Sequence, residues 1–294
     1  MDPLVSFAFS VANLFGFYAL LALGLGLVFG QLGVVNVAHG DMVMVGAYVM
    51  YALAGVPFVV RLLVAVVVAV VLGLLVERAV LRKLYARGML ATLLATWGLG
   101  IVLRQLAEAV FGVTPRSVDP PLTGSVTILG AQFPTYRLVA TAVYAAVVVA
   151  CLVVVYRTNL GLKLRASIDN RDMAALLGVP PRLMIAGTFA FGTVLAVLAG
   201  ALQSPTLGLT PGLGVAFLAP AFFAVLVGRP GSLTGPVLGA LLVAMLSSVL
   251  RWFFTETVAE LLFFLALVIL IAARPSGLSW RLPTWLSSRP RQAP

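Results

Sequence analysis

Residues Val5–Phe29 read VSFAFSVANLFGFYALLALGLGLVF, and the residues that follow, Gly30–Asp41, read GQLGVVNVAHGD. The first stretch is apolar over the roughly 20 residues that a helix needs to cross about 30 Å of hydrocarbon. The second combines three glycines with Gln, Asn, His and Asp side chains, directly before another apolar run, Met42–Val56. Polar groups at membrane depth must be enclosed by protein or line a water-filled cavity. This order of segments therefore predicts a membrane bundle with a distinctive polar segment after its first helix.

The composition of the whole chain also indicates a membrane protein. Of the 294 residues, 62% are hydrophobic and 10% are charged, whereas a soluble domain is nearer half apolar and a quarter charged. So few charged side chains cannot cover the surface of a soluble domain of this length. The composition therefore excludes one or two soluble domains and predicts that lipid covers most of the protein.

Apolar runs recur along the chain at about the length of a membrane span. They predict an all-α polytopic membrane protein, a multi-helix transmembrane bundle of about eight to nine spans, and leave open a broken helix near the N-terminus. No hydrophilic stretch is long enough for a second domain, so residues 1–294 are predicted to form a single transmembrane domain. The runs are Val5–Phe29, Met42–Val56, Phe58–Val76, Met89–Gly112, Leu138–Tyr156, Leu183–Leu202, Val215–Val227, Gly235–Leu250 and Ala259–Ala273.

The basic residues indicate which loops face the cytoplasm. Thirteen of the 19 Lys and Arg residues lie in three clusters between or after apolar runs, as the positive-inside rule describes for cytoplasmic loops. We therefore expect the loop 157–182 and the tail 274–294 to be cytoplasmic, and the loop 113–136 to be extracytoplasmic. Such loops explain the net charge of +10 without nucleic-acid binding. The clusters are Arg78, Arg82, Lys83 and Arg87; Arg157, Lys163, Arg165, Arg171 and Arg182; and Arg274, Arg281, Arg289 and Arg291.

The motifs of most membrane enzymes are absent from the sequence. There is one histidine, His39, and no HExxH, GxSxG or phosphate-binding GxxxxGK[ST] motif. Of the nine acidic residues, all but Asp41 and Glu108 lie in loops or at the ends of apolar runs. Glu108 is expected to pair with Arg104, four residues earlier on the same helix. The sequence therefore predicts neither an enzyme nor a metal or cofactor site, but a pathway that something else drives.

The polar segment Gly30–Asp41 allows two interpretations. A break in the helix would present free backbone groups to a zwitterionic solute, as broken helices do in transporters. Alternatively, the segment is an ordinary cytoplasmic turn in which Asp41 caps the next helix. His39 suits a structural hydrogen bond better than proton transfer.

The loop Thr158–Arg182 predicts a short helix that docks to a partner. Asp169 or Asn170 can cap it, and Gly178 can end it. An ordinary solvated loop would not need the apolar residues that this helix of about two turns would present. The residues expected to be available for docking are Met173, Ala174, Leu176 and Leu177.

Four stretches resemble motifs of one family. Leu32–Asp41, LGVVNVAHGD, is close to GVVNFAHG, and Tyr156–Val179, YRTNLGLKLRASIDNRDMAALLGV, is similar to GxxLRAxxxNxxxAxLxGI. Ala91–Leu99, ATLLATWGL, resembles LIATxGLS, and Gly231–Gly239, GSLTGPVLG, resembles GSxxGAxxG. The chain thus resembles the permease subunits of branched-chain amino acid ABC importers, the LivH/LivM family, and more closely the LivH type. It departs at Gly228–Ser232, GRPGS, where the family commonly has a glycine pair before GS.

The resemblance implies a role and partners. Such a permease is a multi-pass protein of the bacterial cytoplasmic (inner) membrane, paired with a second permease that is LivM-like or a copy of itself. Two cytoplasmic ATPase subunits, LivG/LivF-like, hydrolyse ATP, and a periplasmic or lipid-anchored binding protein delivers the solute. The chain itself binds no cofactor. By motif position, the substrate pathway would include Asn36, His39, Gly40 and Thr96, and the ATPase coupling loop would include Gly161, Arg165, Asn170, Ala174 and Gly178.

The solute is left open by the sequence. A branched-chain or hydrophobic amino acid is the leading expectation, while related systems carry urea, short-chain amides or aromatic acids. An autonomous secondary carrier is the rival from another class, and the docking-type loop speaks against it. A purely structural membrane subunit would require the loop 158–182 to be dispensable.

Overall fold

Helices form over the apolar runs in this computed structural model, which describes residues 3–228, 231–232 and 234–273. The predicted tail 274–294 with its basic cluster, and Arg229 and Pro230 of the GRPGS departure, lie outside the described residues. The helices are α1 (Pro3–Leu32), α2 (His39–Ala52), α3 (Phe58–Ala79), α4 (Met89–Phe111), α5 (Thr135–Arg157), α6 (Asn159–Asp169), α7 (Arg171–Leu176), α8 (Pro181–Gln203), α9 (Val215–Val227), α10 (Gly235–Phe253) and α11 (Glu256–Ala273), with 3-10 turns at Leu81–Lys83, Tyr85–Arg87 and Ser204–Thr206.

The polytopic membrane class is confirmed, but the predicted number of spans is not. Within the described residues, six helices are long and apolar enough to cross a bilayer: α1, α3, α4, α5, α8 and α10. Two of the predicted spans instead form short helices, α2 with 14 residues and α9 with 13. At 1.5 Å per residue each is about 20 Å long, which is too short to cross about 30 Å of hydrocarbon alone.

The chain leaves the helical conformation at two places inside the bundle. Residues 33–38 separate α1 from α2, which confirms a broken helix near the N-terminus, and residues 207–214 separate the turn after α8 from α9. The starts of α2 and α9 meet at Gly40 and Gly214, where a Cβ on either residue would collide with the carbonyl oxygen of the other. Glycine is therefore needed at both positions for the two backbones to approach.

The two breaks belong to two similar halves of the bundle. The order α1, break, α2, α3 is repeated as α8, break, α9, α10, and α3 packs along α8 as α10 packs along α1. The helices α1 and α8 cross at Gly24 and Gly192, where a Cβ on Gly24 would lie 2.8 Å from the carbonyl oxygen of Gly192. From their common start, α2 runs toward the loop 113–136, where Arg116 lies over the ring of Tyr51, and α9 runs toward the end of α1, where Gly231 faces Gly30. The two halves therefore form an inverted repeat. The two halves show no clear repeat in the amino-acid sequence.

One end of the bundle carries both described basic clusters, and we call it the basic end. There the end of α1 packs on the end of α3 and the start of α8, through Val28, Val76 and Phe189. Leu27 packs with Val155 at the end of α5. On this side the Tyr85 hydroxyl is buried and makes no hydrogen bond within the part of the chain that the structure describes, and burial raises its pKa above the usual range.

The loop 113–136 lies at the other end, which we call the opposite end. Arg116 exchanges two backbone hydrogen bonds with Leu209, at 2.9 and 2.8 Å, and so joins this loop to the second break. The loop also holds an antiparallel hairpin, β1 (Ser125–Ile128) and β2 (Ala131–Pro134). Its turn has positive φ at Leu129 (48°) and Gly130 (81°), as a type I′ turn requires. The prediction of an all-α protein therefore describes the bundle but not this loop.

Candidate functional site

The first break is enclosed by protein. Gly33 ends α1 with φ of +65°, a left-handed conformation that favours glycine. Asn36 is 2% exposed and His39 1% exposed, and α2 begins at His39 without a side-chain cap. The interpretation as an ordinary turn capped by Asp41 is therefore wrong, because Asp41 lies inside the first turn of α2.

Two polar side chains of the break carry free acceptor atoms. His39 Nε2 lies 3.1 Å from the carbonyl oxygen of Leu21, and since a carbonyl only accepts, Nε2 carries the proton and Nδ1 is an acceptor. Both His39 Nδ1 and Asn36 Oδ1 are buried without a partner among the described residues. Unpaired buried acceptors are destabilising, so this position favours a molecule that brings hydrogen-bond donors.

Thr96 on α4 closes the break from the side. Its Oγ1 accepts from the backbone N–H of Val37 at 3.1 Å and donates to the carbonyl oxygen of Leu93 at 3.0 Å. The structure thus brings together the predicted pathway residues Asn36, His39, Gly40 and Thr96. It does not by itself assign them to a solute.

An ion pair between α2 and α4 lies beside the break. Arg104 Nη1 is 2.9 Å from Asp41 Oδ1 and 3.0 Å from Oδ2, with side-chain exposures of 23% and 3%. The expected pair of Arg104 with Glu108 is wrong, and Glu108 instead accepts from Gln105 at 3.3 Å. Gly100 leaves room for the pair, because a Cβ there would collide with the Asp41 carboxylate.

This ion pair was missed because its partners are 63 positions apart in sequence. The available signal was that ionisable residues inside a membrane usually pair with each other. Among the described residues, no group of three His, Cys, Asp or Glu side chains could hold a metal ion.

A buried hydrogen bond links the break to the loop 157–182. Gln31 Nε2, two residues before Gly33, donates to Ser167 Oγ on α6 at 2.7 Å, and the two residues are 7% and 4% exposed. Next to it, the side chain of Ile168 packs against Gly30: a Cβ on Gly30 would lie 3.6 Å from Ile168 Cγ2. A displacement of α6 therefore acts directly on the end of α1.

The loop 157–182 folds into two helices instead of the one predicted. Thr158 Oγ1 accepts from the N–H of Gly161 at 3.1 Å and caps α6, which the sequence analysis did not predict. Asn170 Oδ1 accepts from the N–H of Met173 at 2.9 Å and caps α7, as expected. Gly178, with φ of +82°, follows the end of α7, which is also as expected.

Comparison with known proteins identifies the family. Residues 7–272 match the family described as branched-chain amino acid transport system / permease component. The chain belongs to this permease family. This confirms the resemblance seen in the four motifs, and together with the six apolar helices it makes the chain a multi-pass membrane protein.

The curated relatives of this permease match over most of its length. The high-affinity branched-chain amino acid transport system permease protein BraD of Pseudomonas aeruginosa is 27% identical over 90% of this chain and 92% of its own. LivH of Escherichia coli K12, with the same description, is 26% identical over 90% and 91%. The probable branched-chain amino acid transport permease protein LivH of Methanocaldococcus jannaschii is 24% identical over 89% of each chain. These relatives are transport permeases and not enzymes. No solved structure gives a significant match.

Three of the residues predicted for the coupling loop of the permease make contacts inside the protein. A Cβ on Gly161 would collide with the carbonyl oxygens at the end of α5, including that of Val155. Arg165 lies over the ring of Tyr156, 5.3 Å from its centroid. Ala174 is 3% exposed, so the expectation that it is available for docking is wrong. It faces inward because α7 packs against α8.

The other residues predicted for docking are exposed. Met173, Leu176 and Leu177 are 55%, 82% and 78% exposed, and we call them the α7 face. Asn170 and Gly178 set the two ends of the helix that presents it. The α7 face is therefore an exposed apolar surface at the basic end.

Proposed function

We propose that this chain is the LivH-type transmembrane permease subunit of an ATP-binding cassette importer. It forms half of the translocation pathway for branched-chain or other hydrophobic amino acids, in a cytoplasmic membrane. The family match and the names of the relatives support this role. A second permease, LivM-like or another copy of this chain, supplies the other half, and a periplasmic or lipid-anchored binding protein delivers the solute.

The energy for transport comes from two cytoplasmic ATPase subunits that dock on the α7 face. The chain needs no nucleotide site of its own, because these partners hydrolyse ATP. The observation that carries this proposal is the exposed α7 face on a loop whose neighbouring helix, α6, is hydrogen-bonded to the end of α1. Apolar side chains at such exposure favour burial in an interface.

Coupling follows from the contacts between the loop and the first break. Closure of the ATPase dimer on ATP displaces α6 and α7, the Gln31–Ser167 hydrogen bond passes this movement to α1, and Gly33 allows the chain to pivot. The two halves of the inverted repeat then rock against each other, which is a common way to alternate access.

The chemistry of the first break suits an amino acid. The free acceptors Asn36 Oδ1 and His39 Nδ1 can receive hydrogen bonds from an ammonium group. Urea and short-chain amides also bring donors and aromatic acids share the carboxylate, so these remain alternative solutes in a panel of uptake assays. His39→Ala is expected to reduce uptake if the break lines the path, while unchanged kinetics would assign His39 to packing.

The test of the role compares two leucines of equal exposure. Leu177 on the α7 face and Leu129 in the hairpin turn at the opposite end are both 78% exposed. We expect Leu177→Asp to abolish recovery of the ATPase with the detergent-extracted chain and ATP-driven uptake of L-leucine into vesicles. Leu129→Asp should leave ATPase recovery unchanged. Uptake without ATP by the chain alone would instead establish the secondary carrier and refute the proposal.

A further inference from the structure

A cavity of about 80 Å³ lies between α1, α9, α10 and α11, away from the first break. Its polar lining comes from Tyr18, Ser247, Arg251 and Glu260. Arg251 marks its position at the opposite end of the bundle, because the next residue, Trp252, packs on a ring near the start of α1, 5.5 Å between centroids. The cavity is therefore on the side from which an importer receives its solute.

Three of the polar groups have no partner of their own. Tyr18 and Ser247 are 5% and 7% exposed, and neither hydroxyl makes a hydrogen bond within residues 3–228, 231–232 and 234–273. The Glu260 carboxylate makes no ion pair among the same residues. Arg251 has only a long contact of 3.4 Å with the exposed Glu256, and such surface pairs contribute little. The cavity thus presents two hydroxyls that make no hydrogen bond within the described residues, beside an exposed cation, Arg251, and an exposed anion, Glu260.

The remaining lining is apolar and partly aromatic. Phe217 in the first turn of α9 and Phe263 on α11 stand beside the charged groups. A cavity of 80 Å³ has the volume of two to three waters at about 30 Å³ each. It can hold the ammonium and carboxylate end of an amino acid, while a larger side chain must lie along the aromatic residues.

We propose that this cavity is a receiving site for the zwitterionic end of an α-amino acid, which rests on the proposed function of the chain. Arg251 pairs with the carboxylate, a geometry for which guanidinium is well suited. Tyr18 and Ser247 donate to the same carboxylate, and Glu260 accepts from the ammonium group. Only a zwitterion can pair with both the Arg251 guanidinium and the Glu260 carboxylate. The site therefore favours an amino acid over urea or a neutral amide.

The start of α9 lies between this site and the first break. Phe217 is three residues after Gly214, whose backbone touches Gly40 at the start of α2. The backbones of Gly214 and Gly40 pack closely and His39 and Asn36 are buried, so a solute reaches them along α9 only when the two halves move apart at this contact. The receiving site and the break act in sequence, the first selecting a zwitterion and the second passing it on.

The test uses a cysteine placed in the cavity and a matched neighbour. Ser247→Cys is labelled with a small methanethiosulfonate reagent in membranes that hold the full chain, and Ser248→Cys is the control. Ser248 is equally buried at 6% exposure, but it does not line the cavity and its hydroxyl oxygen is shielded. The natural cysteine, Cys151, is buried, so the unchanged chain gives the baseline.

We expect labelling of Ser247→Cys and none of Ser248→Cys. L-leucine at about ten times its Kd should slow the labelling about tenfold by occupying the site, whereas urea should not. Adding Arg251→Gln or Glu260→Gln should remove this protection while labelling without leucine persists, which shows that the variant is folded.

Three results would overturn the inference. They are absence of labelling at Ser247→Cys, labelling that L-leucine does not slow, and protection that survives both charge substitutions. Labelling needs no ATPase, so labelling of Ser247→Cys that L-leucine does not slow, together with normal ATP-driven uptake, refutes this site alone. Failure of the α7-face test with intact protection refutes the importer role alone.

Discussion

Residues 33–38 and residues 207–214 both interrupt a helix inside the bundle, and they are held in place in different ways. Around the first break, side chains make the contacts: Thr96 bonds to Val37, His39 to Leu21, and Asp41 to Arg104. The second break contains no ionisable residue. Its contacts are backbone hydrogen bonds, such as those between Arg116 and Leu209, and close packing at Gly214.

This difference shows that the two halves share an architecture but not the same polar groups. Glycines at the crossing points are enough to let two broken helices meet, and both halves use them. Polar side chains with free acceptors occur at the first break, which is also the one joined to the loop 157–182 through Gln31. We infer that the first break moves with the loop while the second serves mainly as its support.

The largest expected effect comes from breaking the ion pair at the first break. Arg104→Gln leaves the carboxylate of Asp41 buried without its partner, which costs about 3–5 kcal/mol. We expect a large fall in the thermal stability and yield of the detergent-extracted protein. The double variant Arg104→Gln/Asp41→Asn should recover most of the loss, and equal stability of the single variant and the unchanged chain would contradict this.

A somewhat smaller effect is expected from the second break. Gly214→Ala places a methyl group against the backbone of Gly40, and overpacking of this kind costs about 1–3 kcal/mol. Gly212→Ala is the control, because no atom of the described residues lies within 4 Å of the position that its Cβ would take. In thermal unfolding, Gly214→Ala should unfold at a lower temperature than Gly212→Ala. Equal unfolding temperatures would show that the two breaks do not touch.

The Gln31–Ser167 hydrogen bond links the first break to the loop 157–182. Its role is tested by removing it and comparing ATP hydrolysis with uptake. Gln31→Ala removes the bond to Ser167 and costs about 1 kcal/mol in stability, but we expect ATP hydrolysis to continue while L-leucine uptake falls. Asn13→Ala is the matched control, since Asn13 on α1 donates to Thr141 on α5 at 2.8 Å, near the opposite end. It should cost similar stability without uncoupling. Parallel loss of hydrolysis and uptake in Gln31→Ala would argue against a mechanical link.

The smallest expected effect is in the hairpin beside the second break. Leu129 has a positive φ that Asn tolerates better, so Leu129→Asn should stabilise the turn by up to about 1 kcal/mol. Hydrogen exchange at Thr127, which pairs with Gln132, should slow while uptake stays unchanged. Altered uptake would mean that the hairpin takes part in the movement of the second break.

Short-range features could be predicted from the sequence by itself. The apolar runs determined the membrane class and the approximate bounds of most helices, because burial in lipid depends on local composition. The ends of α7 were predicted from Asn170 and Gly178, since capping involves only neighbouring residues. The segment Gly30–Asp41 indicated a break because glycines and polar groups interrupt an apolar run there.

Only the tertiary structure decided which distant residues meet. Arg104 pairs with Asp41 and not with Glu108, and Ala174 is buried, because α2, α4, α7 and α8 pack in one particular arrangement. The Gln31–Ser167 bond and the cavity at Arg251 likewise involve helices that are far apart in sequence. A helix has several apolar faces that could be buried in a membrane protein, and the choice among them depends on the fit of all its neighbours.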